Sequence, residues 1–150
     1  MWRVIFVNAC LKGAAEIVIL DNFLSADIVN VPNADKIHLI DGSCSDDSDD
    51  RVLARLDKKF DYIFHLASYH GNQSSIADTI EDHRNNTLTT LKLYEHFKSC
   101  EIKKFVYASA GCTVAEKTFD EAEATKEDKP VSLFLDSPLS NFQNYWRILS

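Results

Sequence analysis

Short apolar runs alternate with longer polar stretches along this chain, and the apolar runs have the length of strands. Residues 17–20, 36–40, 60–67 and 103–109 contain four to eight residues each and show no helical spacing, which is typical of strands in a parallel sheet. The longest run, 60–67, is entered through charged residues and left through small ones. It therefore predicts a central strand that is buried on both faces.

Helical patterns lie between these runs. Residues 76–99 predict a long helix, because apolar side chains recur there at three-residue steps. The Ser- and Asp-rich stretch 41–50 predicts a solvated turn that caps a second helix over 51–60. This alternation predicts an α/β fold, with a parallel sheet flanked by helices.

The first twelve residues do not fit this order. An apolar run at 3–8 has strand character, but only residues 8–15 separate it from the next run. A parallel crossover needs about 10–12 residues or more, including its helix. The first run is therefore either a helix or a hairpin partner, or it is not native to the fold.

Composition narrows the class of protein. The 150 residues are 45% hydrophobic, enough for one globular domain. A net charge of -7 argues against nucleic-acid partners and anionic membrane surfaces, and no run approaches the roughly 20 apolar residues of a spanning helix. The four cysteines form no Cys-x-x-Cys pair, so we expect reduced thiols in a cytoplasmic protein, with no metal site.

Candidate binding residues follow the strands, at the edge where open α/β sheets hold ligands. Asp21 directly follows the run 17–20, while Ala67 and Ser68 lie at the carboxyl end of the run 60–67. A carboxylate after a second Rossmann strand accepts hydrogen bonds from the adenosine ribose and so favours NAD over a 2′-phosphorylated cofactor. An ordinary acidic residue at a strand end is an equally good interpretation of Asp21 alone.

Four segments in order resemble the NAD-dependent epimerase/dehydratase family, the extended short-chain dehydrogenase/reductases that modify nucleotide sugars. They are residues 17–22, 61–67, 85–93 and 103–113, followed at the family's distance by 136–138. The resemblance implies a Rossmann sheet, bound NAD, transient hydride transfer at a hydroxyl of a nucleotide-sugar substrate, and a homodimer in the intact family member.

The resemblance also assigns cofactor contacts. Asp21 and Asn22 match the adenosine-side contacts, and Asn85 matches the family's asparagine on the helix that faces the site. The segment that passes under the pyrophosphate and nicotinamide is matched by Leu66, Ala67 and Ser68.

A catalytic Ser or Thr is expected near the end of the last strand. Ser109 lies in the segment that holds it, and Thr113 is the alternative when the alignment contains a gap. Its hydroxyl would hydrogen-bond the reacting sugar oxygen.

Two family motifs are missing from their expected places. The Gly-x-x-Gly-x-x-Gly turn precedes a helix whose free N–H groups receive the pyrophosphate, but Gly13 is the only glycine before Gly42. The Tyr-x-x-x-Lys motif, which supplies the general base, should follow Pro138, where the chain has residues 139–143 without tyrosine or lysine. Weak or absent NAD binding and no hydride transfer are therefore expected of this chain.

A change of reading frame is our hypothesis for both ends of the chain. With suitable codons, residues 139–150 read one nucleotide later give a Tyr-x-x-x-Lys helix, and residues 1–12 shifted by two bases give a sequence suited to the family's first helix. The expected organisation is an atypical segment 1–12, a partial NAD-binding Rossmann domain 13–138 with its first βα unit missing or altered, and an atypical tail 139–150, with no substrate domain.

Three function classes stay open on the sequence. The first is a nucleotide-sugar epimerase or dehydratase in an incomplete, inactive form. The second is a non-catalytic nucleotide-binding or regulatory module of the same fold. The third is an unrelated doubly wound domain, such as a flavodoxin-like binding protein, because fold alone does not fix function.

Overall fold

The computed structural model describes residues 2–45, 50–56, 59–69 and 72–108 of the chain. In chain order the elements are α1 (Trp2–Cys10), β1 (Ile17–Asp21), a 3-10 turn (Ile28–Asn30), β2 (Ile37–Asp41), α2 (Asp50–Ala54), β3 (Tyr62–His65), α3 (Asn72–Ala77), α4 (Thr79–Asp82), a π-helical turn (His83–Leu88), α5 (Thr89–Phe97) and β4 (Lys104–Tyr107).

The four strands pair in parallel, as the alternation of strands and helices predicts. β1 pairs with β2 from Ile17 opposite Ile37 to Asp21 opposite Asp41, and β3 pairs with β4 in the same sense. The described residues form two separate two-stranded ladders and not one continuous sheet. The first apolar run is a helix, α1, so the helical interpretation of that run is confirmed and the strand interpretation is wrong.

One hydrophobic core joins the two ladders. Its buried residues come from β2, the loop after it, α2 with the turn that follows, and α5, and they are Ile40, Cys44, Val52, Leu53, Leu56, Leu93 and Phe97. Partly buried side chains from β1, β3 and β4 pack against this cluster. Residues of all four strands and of helices α2 and α5 therefore meet in one core.

The other face of β3 is more open than its apolar sequence predicts. Ile63 packs against the core, but Tyr62 and Phe64 point away from it and are 53% and 41% exposed. Phe6 of α1 meets Phe64 edge-on, with 4.6 Å between the ring centroids. The prediction of burial on both faces is therefore wrong, because the face that carries Tyr62 and Phe64 stays partly exposed although Phe6 packs against it.

The predicted helix 76–99 begins earlier and is interrupted. Helical structure starts at Asn72 in α3, and Asp78 then caps α4 through its Oδ1, which accepts from the Glu81 N–H at 3.0 Å. The chain passes through a π-helical turn before α5. A capping aspartate competes for backbone N–H groups and so favours a new helix start over continuation.

The predicted helix 51–60 is also too long. The helix ends at Ala54, and Phe60 lies outside it, where its ring packs edge-on against Phe97 at 5.7 Å between centroids. No helix among the described residues is long and apolar enough to cross a membrane.

Candidate functional site

The carboxyl ends of β1 and β2 meet side by side. Asp21 and Asp41 stand opposite each other in the ladder, and the Gly42 N–H donates to the Asp21 carbonyl at 3.1 Å. Gly42 has φ +155, and a Cβ placed on it would lie 2.9 Å from Cγ2 of Val52. Only glycine can take this conformation so close to α2.

A tight turn holds the side chain of Asp21 at the end of β1. Its Oδ1 accepts from the Phe23 N–H at 2.9 Å, and the Asn22 Oδ1 accepts from the Leu24 N–H at 3.3 Å. Phe23 has φ 54, which is strained for a bulky residue and is found most often where function requires it. Asp21 and Asn22 are both half-buried, so they can still reach a ligand at this edge.

The segment after β3 lies at the carboxyl end of the second ladder. The Ala108 N–H donates to the His65 carbonyl at 3.1 Å, which carries the ladder one residue past β4. Leu66 is half-buried, whereas Ala67 and Ser68 are exposed. Small exposed side chains at a strand end leave room for a ligand to approach the backbone.

The two neighbouring asparagines differ in what they contact. Asn85 is 9% exposed, and its Nδ2 donates to the carbonyl and the side-chain Oε1 of Glu81 on its own helix. Asn86 is 4% exposed, and its Oδ1 accepts from the Tyr69 N–H at 2.8 Å, in the segment after β3. A cofactor contact of Asn85 stays a prediction. Sequence reasoning missed Asn86, whose only signal was its place beside Asn85.

Two buried polar side chains, those of Asp82 and Thr90, form hydrogen bonds with Asn86. Its Nδ2 donates to Oδ1 of Asp82 at 2.7 Å, and Thr90 Oγ1 donates to its carbonyl at 2.6 Å. The pKa of Asp82 lies above its usual value because burial disfavours the charged carboxylate. Hydrogen bonds from Ser75 and Asn86 and the charge of His83 lower this pKa, but their effect is smaller. Asp82 is 2% exposed and Ser75 is fully buried.

Tyr107 ends β4 beside the same edge. Its ring lies against His65, with 5.4 Å between the centroids. Burial raises the pKa of Tyr107 to about 12, so its phenol stays protonated near neutral pH and cannot serve as a general base there.

The predicted catalytic hydroxyls, Ser109 and Thr113, lie outside the described residues, as does the segment 139–143. The chain does contain one Tyr-x-x-x-Lys spacing among the described residues, at Tyr94 and Lys98 on α5. Both line a groove with Lys103 and Lys104. That groove is at the amino end of β4, the end opposite the candidate site, so this spacing does not replace the family motif.

The described residues do not include the glycine turn that the family places before its first helix. Gly13 follows α1, so no glycine turn precedes that helix within the described residues, and the backbone cradle that a pyrophosphate needs is not formed by them. No group of three or more His, Cys, Asp and Glu side chains in the described ranges is placed to hold a metal ion.

Comparison with known families gives one match that spans most of the chain. The model of the "NAD dependent epimerase/dehydratase family" matches residues 6–136. A Methanocaldococcus jannaschii protein, described as "Uncharacterized protein MJ1055", is 31% identical over 96 residues, which cover 63% of this chain and 29% of that protein.

Solved structures agree with this match. The Bordetella bronchiseptica enzyme WbmF in complex with NAD+ is 39% identical, with a TM-score of 0.77 over 98% of this chain and 40% of its own. The epimerase Mth375 of Methanothermobacter thermautotrophicus is 29% identical, with a TM-score of 0.81 over 97% of this chain and 42% of its own. Since these superpositions cover nearly all of the chain, both ladders take part in them.

Proposed function

The chain belongs to the NAD-dependent epimerase/dehydratase family, and on that premise we propose that it is the part of a nucleotide-sugar-modifying protein that holds the adenosine end of NAD. The chain spans about 40% of the length of the solved structures it matches. The activity, the nucleotide-sugar substrate and the homodimer of a whole protein are parts of the same proposal.

The observation that carries the proposal is the carboxylate of Asp21 at the end of β1. It sits where a Rossmann fold presents an acidic side chain to the adenosine ribose. Its Oδ1 is used by the Phe23 N–H, and this bond orients the carboxyl group. A ribose with two free hydroxyls would donate to such a carboxylate, whereas a 2′-phosphate would be repelled by it.

The nicotinamide side of the proposed site is the segment after β3. Leu66, Ala67 and Ser68 would pass beneath the cofactor, and the exposure of Ala67 and Ser68 supports this placement. The WbmF structures include complexes with NAD+, with NADH and with NAD+ and UDP. These complexes support a nucleotide sugar as the substrate class for a whole protein.

When bound, NAD would accept a hydride from a sugar carbon, and the chain would have to take up the hydroxyl proton. A hydroxyl at Ser109 or Thr113 would hydrogen-bond the sugar oxygen. The base is the missing part, because residues 139–143 contain no tyrosine or lysine and the phenol of Tyr107 keeps its proton, with a pKa of about 12. General acid–base help is worth roughly 10²–10⁴-fold, so the 150-residue chain should bind without turning over.

A non-catalytic nucleotide-binding or regulatory module is the second candidate. It is supported by the position of Asp21 at the end of β1 and by the lack of tyrosine and lysine in residues 139–143. The two candidates differ in whether a longer protein containing this segment oxidises a sugar.

The test is a pair of calorimetric titrations of the 150-residue chain, with NAD and with NADP. We expect NAD to bind at least about tenfold more tightly, since hydrogen bonds to a charged group contribute about 1.5–3 kcal/mol. Asp21→Asn keeps the Oδ1 acceptor for Phe23, removes the charge and replaces the Oδ2 acceptor by an NH2 donor, so it should abolish the preference for NAD.

The matched control is Asp41→Asn, because Asp41 stands directly opposite Asp21 in the ladder. It should leave the preference intact. Equal affinities of the unchanged chain for NAD and NADP, or an equal effect of both substitutions, would contradict the assignment of Asp21. Reduction of NAD by the chain with a UDP-sugar, followed at 340 nm, would contradict the expected lack of turnover.

A further inference from the structure

The loop after β2, residues 42–45, begins at the carboxyl end of that strand, beside Asp21. It is tied to the neighbouring strand, because the Gly42 N–H donates to the Asp21 carbonyl at 3.1 Å. A displacement of this loop would therefore also move the strand end that carries the Asp21 carboxylate. The position of the loop thus bears on the adenosine side of the proposed site.

Two serines give the loop its internal shape. The Ser45 N–H donates to Ser43 Oγ at 3.1 Å, and the two hydroxyl groups are hydrogen-bonded to each other at 2.8 Å. Both bonds join residues that are two positions apart in the sequence. They fix the curvature of the loop, whereas its place in the molecule depends on contacts with other elements.

Apolar contacts seat the loop between two helices. Cys44 is 2% exposed and belongs to the same core as Val52 of α2 and Leu93 of α5. Gly42 lies so close to α2 that a Cβ on it would stand 2.9 Å from Val52 Cγ2. Because apolar burial is not directional, these contacts hold the loop against the helices without orienting its peptide groups.

Lys92 of α5 adds a directional contact. Its Nζ donates to the Ser45 carbonyl, one residue past Cys44, at 3.5 Å and across 47 residues of sequence. This distance is long for a hydrogen bond, but the donor carries a full charge. The side chain of Lys92 is half-buried, and an ammonium group that loses water needs an acceptor in its place. The loop is thereby favoured in the position that turns the Ser45 carbonyl towards α5.

A second lysine at the end of the same helix has a different role. Lys98 follows the last residue of α5, its side chain is 52% exposed, and it pairs with Glu95 of its own helix. This contact is local and lies in solvent, so it fixes no other element. Lys98 therefore provides a matched comparison for Lys92.

We propose that Lys92 is a positioning residue that fixes the loop 42–45, and with it the end of β1, on the adenosine side of the cofactor site. This inference rests on the proposed function for the identity of the ligand. The anchoring itself rests on the contact between Lys92 and Ser45 and is testable without any ligand.

The experiment compares Lys92→Met with Lys98→Met in the 150-residue chain. Both substitutions keep an apolar stem and remove one positive charge from the same helix, whereas Lys92→Arg keeps a charged donor. The first readout is the hydrogen-exchange rate of the Ser45 amide by NMR. Its reference is the Ala108 amide, which donates to the His65 carbonyl in the other ladder. The second readout is the affinity for NAD and for AMP, which would occupy the adenosine side alone.

In Lys92→Met the Ser45 amide should exchange roughly tenfold faster relative to Ala108, as expected for the loss of a hydrogen bond from a charged donor. AMP and NAD should lose affinity by the same factor, because the change affects only the adenosine side. Lys98→Met should change neither readout, and Lys92→Arg should restore most of both.

A measurement on the unchanged chain covers the case in which Lys92→Met does not fold. The ammonium hydrogens of Lys92 should exchange with water more slowly than those of Lys104, which is exposed. Equal ammonium exchange at these two lysines would overturn the anchoring.

Three further outcomes would also count against the role of Lys92. An unchanged Ser45 rate in Lys92→Met, or an equal acceleration in Lys98→Met, would overturn the anchoring. A faster Ser45 rate with unchanged AMP affinity would overturn its link to the adenosine side. Failure of the unchanged chain to bind NAD and AMP would defeat the proposed function instead, and the Ser45 rate would still decide whether Lys92 holds the loop.

Discussion

At the residue scale, Asp82 is a buried carboxylic acid that accepts hydrogen bonds from the side chains of Ser75 and Asn86. It is 2% exposed. Burial raises its pKa, although Ser75, Asn86 and His83 all favour the charged form. The folded chain therefore holds this proton to a higher pH than the unfolded chain does.

A pH series on Asp82→Asn tests this directly. A folded pKa above the unfolded value means that the favourable contribution is complete below about pH 4 and is lost as pH rises through the folded pKa. The free energy of unfolding of the unchanged chain, measured relative to Asp82→Asn by urea titration, should fall from pH 4 upward and then level off. A difference that is flat or rises with pH would show that Asp82 is not destabilised by burial.

Tyr107 makes a second prediction at this scale, because burial raises its pKa to about 12. Subtracting the ultraviolet titration of Tyr107→Phe from that of the unchanged chain should leave one phenolate transition near pH 12. An unfolded tyrosine ionises at about pH 10. The free energy of unfolding should therefore fall as the pH rises from about 10 to the folded pKa of about 12. A transition near pH 10 in the difference curve would show that Tyr107 is solvated.

At the residue scale, the sequence predicted candidate binding residues but not their hydrogen-bond partners. Asp21 and Asn22 were predicted because a carboxylate after a strand has a recognisable use, and their contact with a cofactor stays a prediction. Asn86 was missed because its importance depends on a π-helical turn, and local patterns do not predict such turns. Ser109 and Thr113 lie outside the described residues, so their role stays a prediction.

At the scale of elements, the contact between β2 and α2 depends on one glycine. Gly42→Ala should destabilise the chain by about 1–3 kcal/mol, since the new Cβ would stand 2.9 Å from Val52 Cγ2 at φ +155. Gly13→Ala is the control, because a Cβ there meets nothing within 4 Å. It should lie within about 1 kcal/mol of the unchanged chain, on the stabilising side. Equal effects in urea unfolding would refute the close approach of α2 to Gly42.

Element type was predictable where apolar runs were short and separated by turn residues. All four strands were expected within a few residues of their observed bounds. The interruptions of the helix were not predictable from the spacing of apolar residues. They depend on local hydrogen bonds, namely the cap at Asp78 and the π-helical turn. The spacing of Leu91 and Tyr94 indicated a helix, but their side chains are 45% and 55% exposed. The residues of this helix that are buried in the core are Leu93 and Phe97.

At the scale of the whole molecule, the four strands among the described residues form two parallel ladders that share one core. The chain superposes over 97–98% of its length on solved structures that include an NAD+ complex. The carboxyl ends of β1 and β3 are therefore proposed to face one ligand. The sequence indicated the parallel pairing through the order of its segments, but not the division of the described strands into two ladders.

The most direct test of a dinucleotide across these strand ends is an NMR titration of the ¹⁵N-labelled chain with NAD. We predict that the shifted amides include those of residues 21–23 and 66–69, at the carboxyl ends of β1 and β3, while Lys98, Lys103 and Lys104 at the opposite end stay unchanged. Shifts confined to the groove around Lys98, or no shifts at millimolar NAD, would contradict the account.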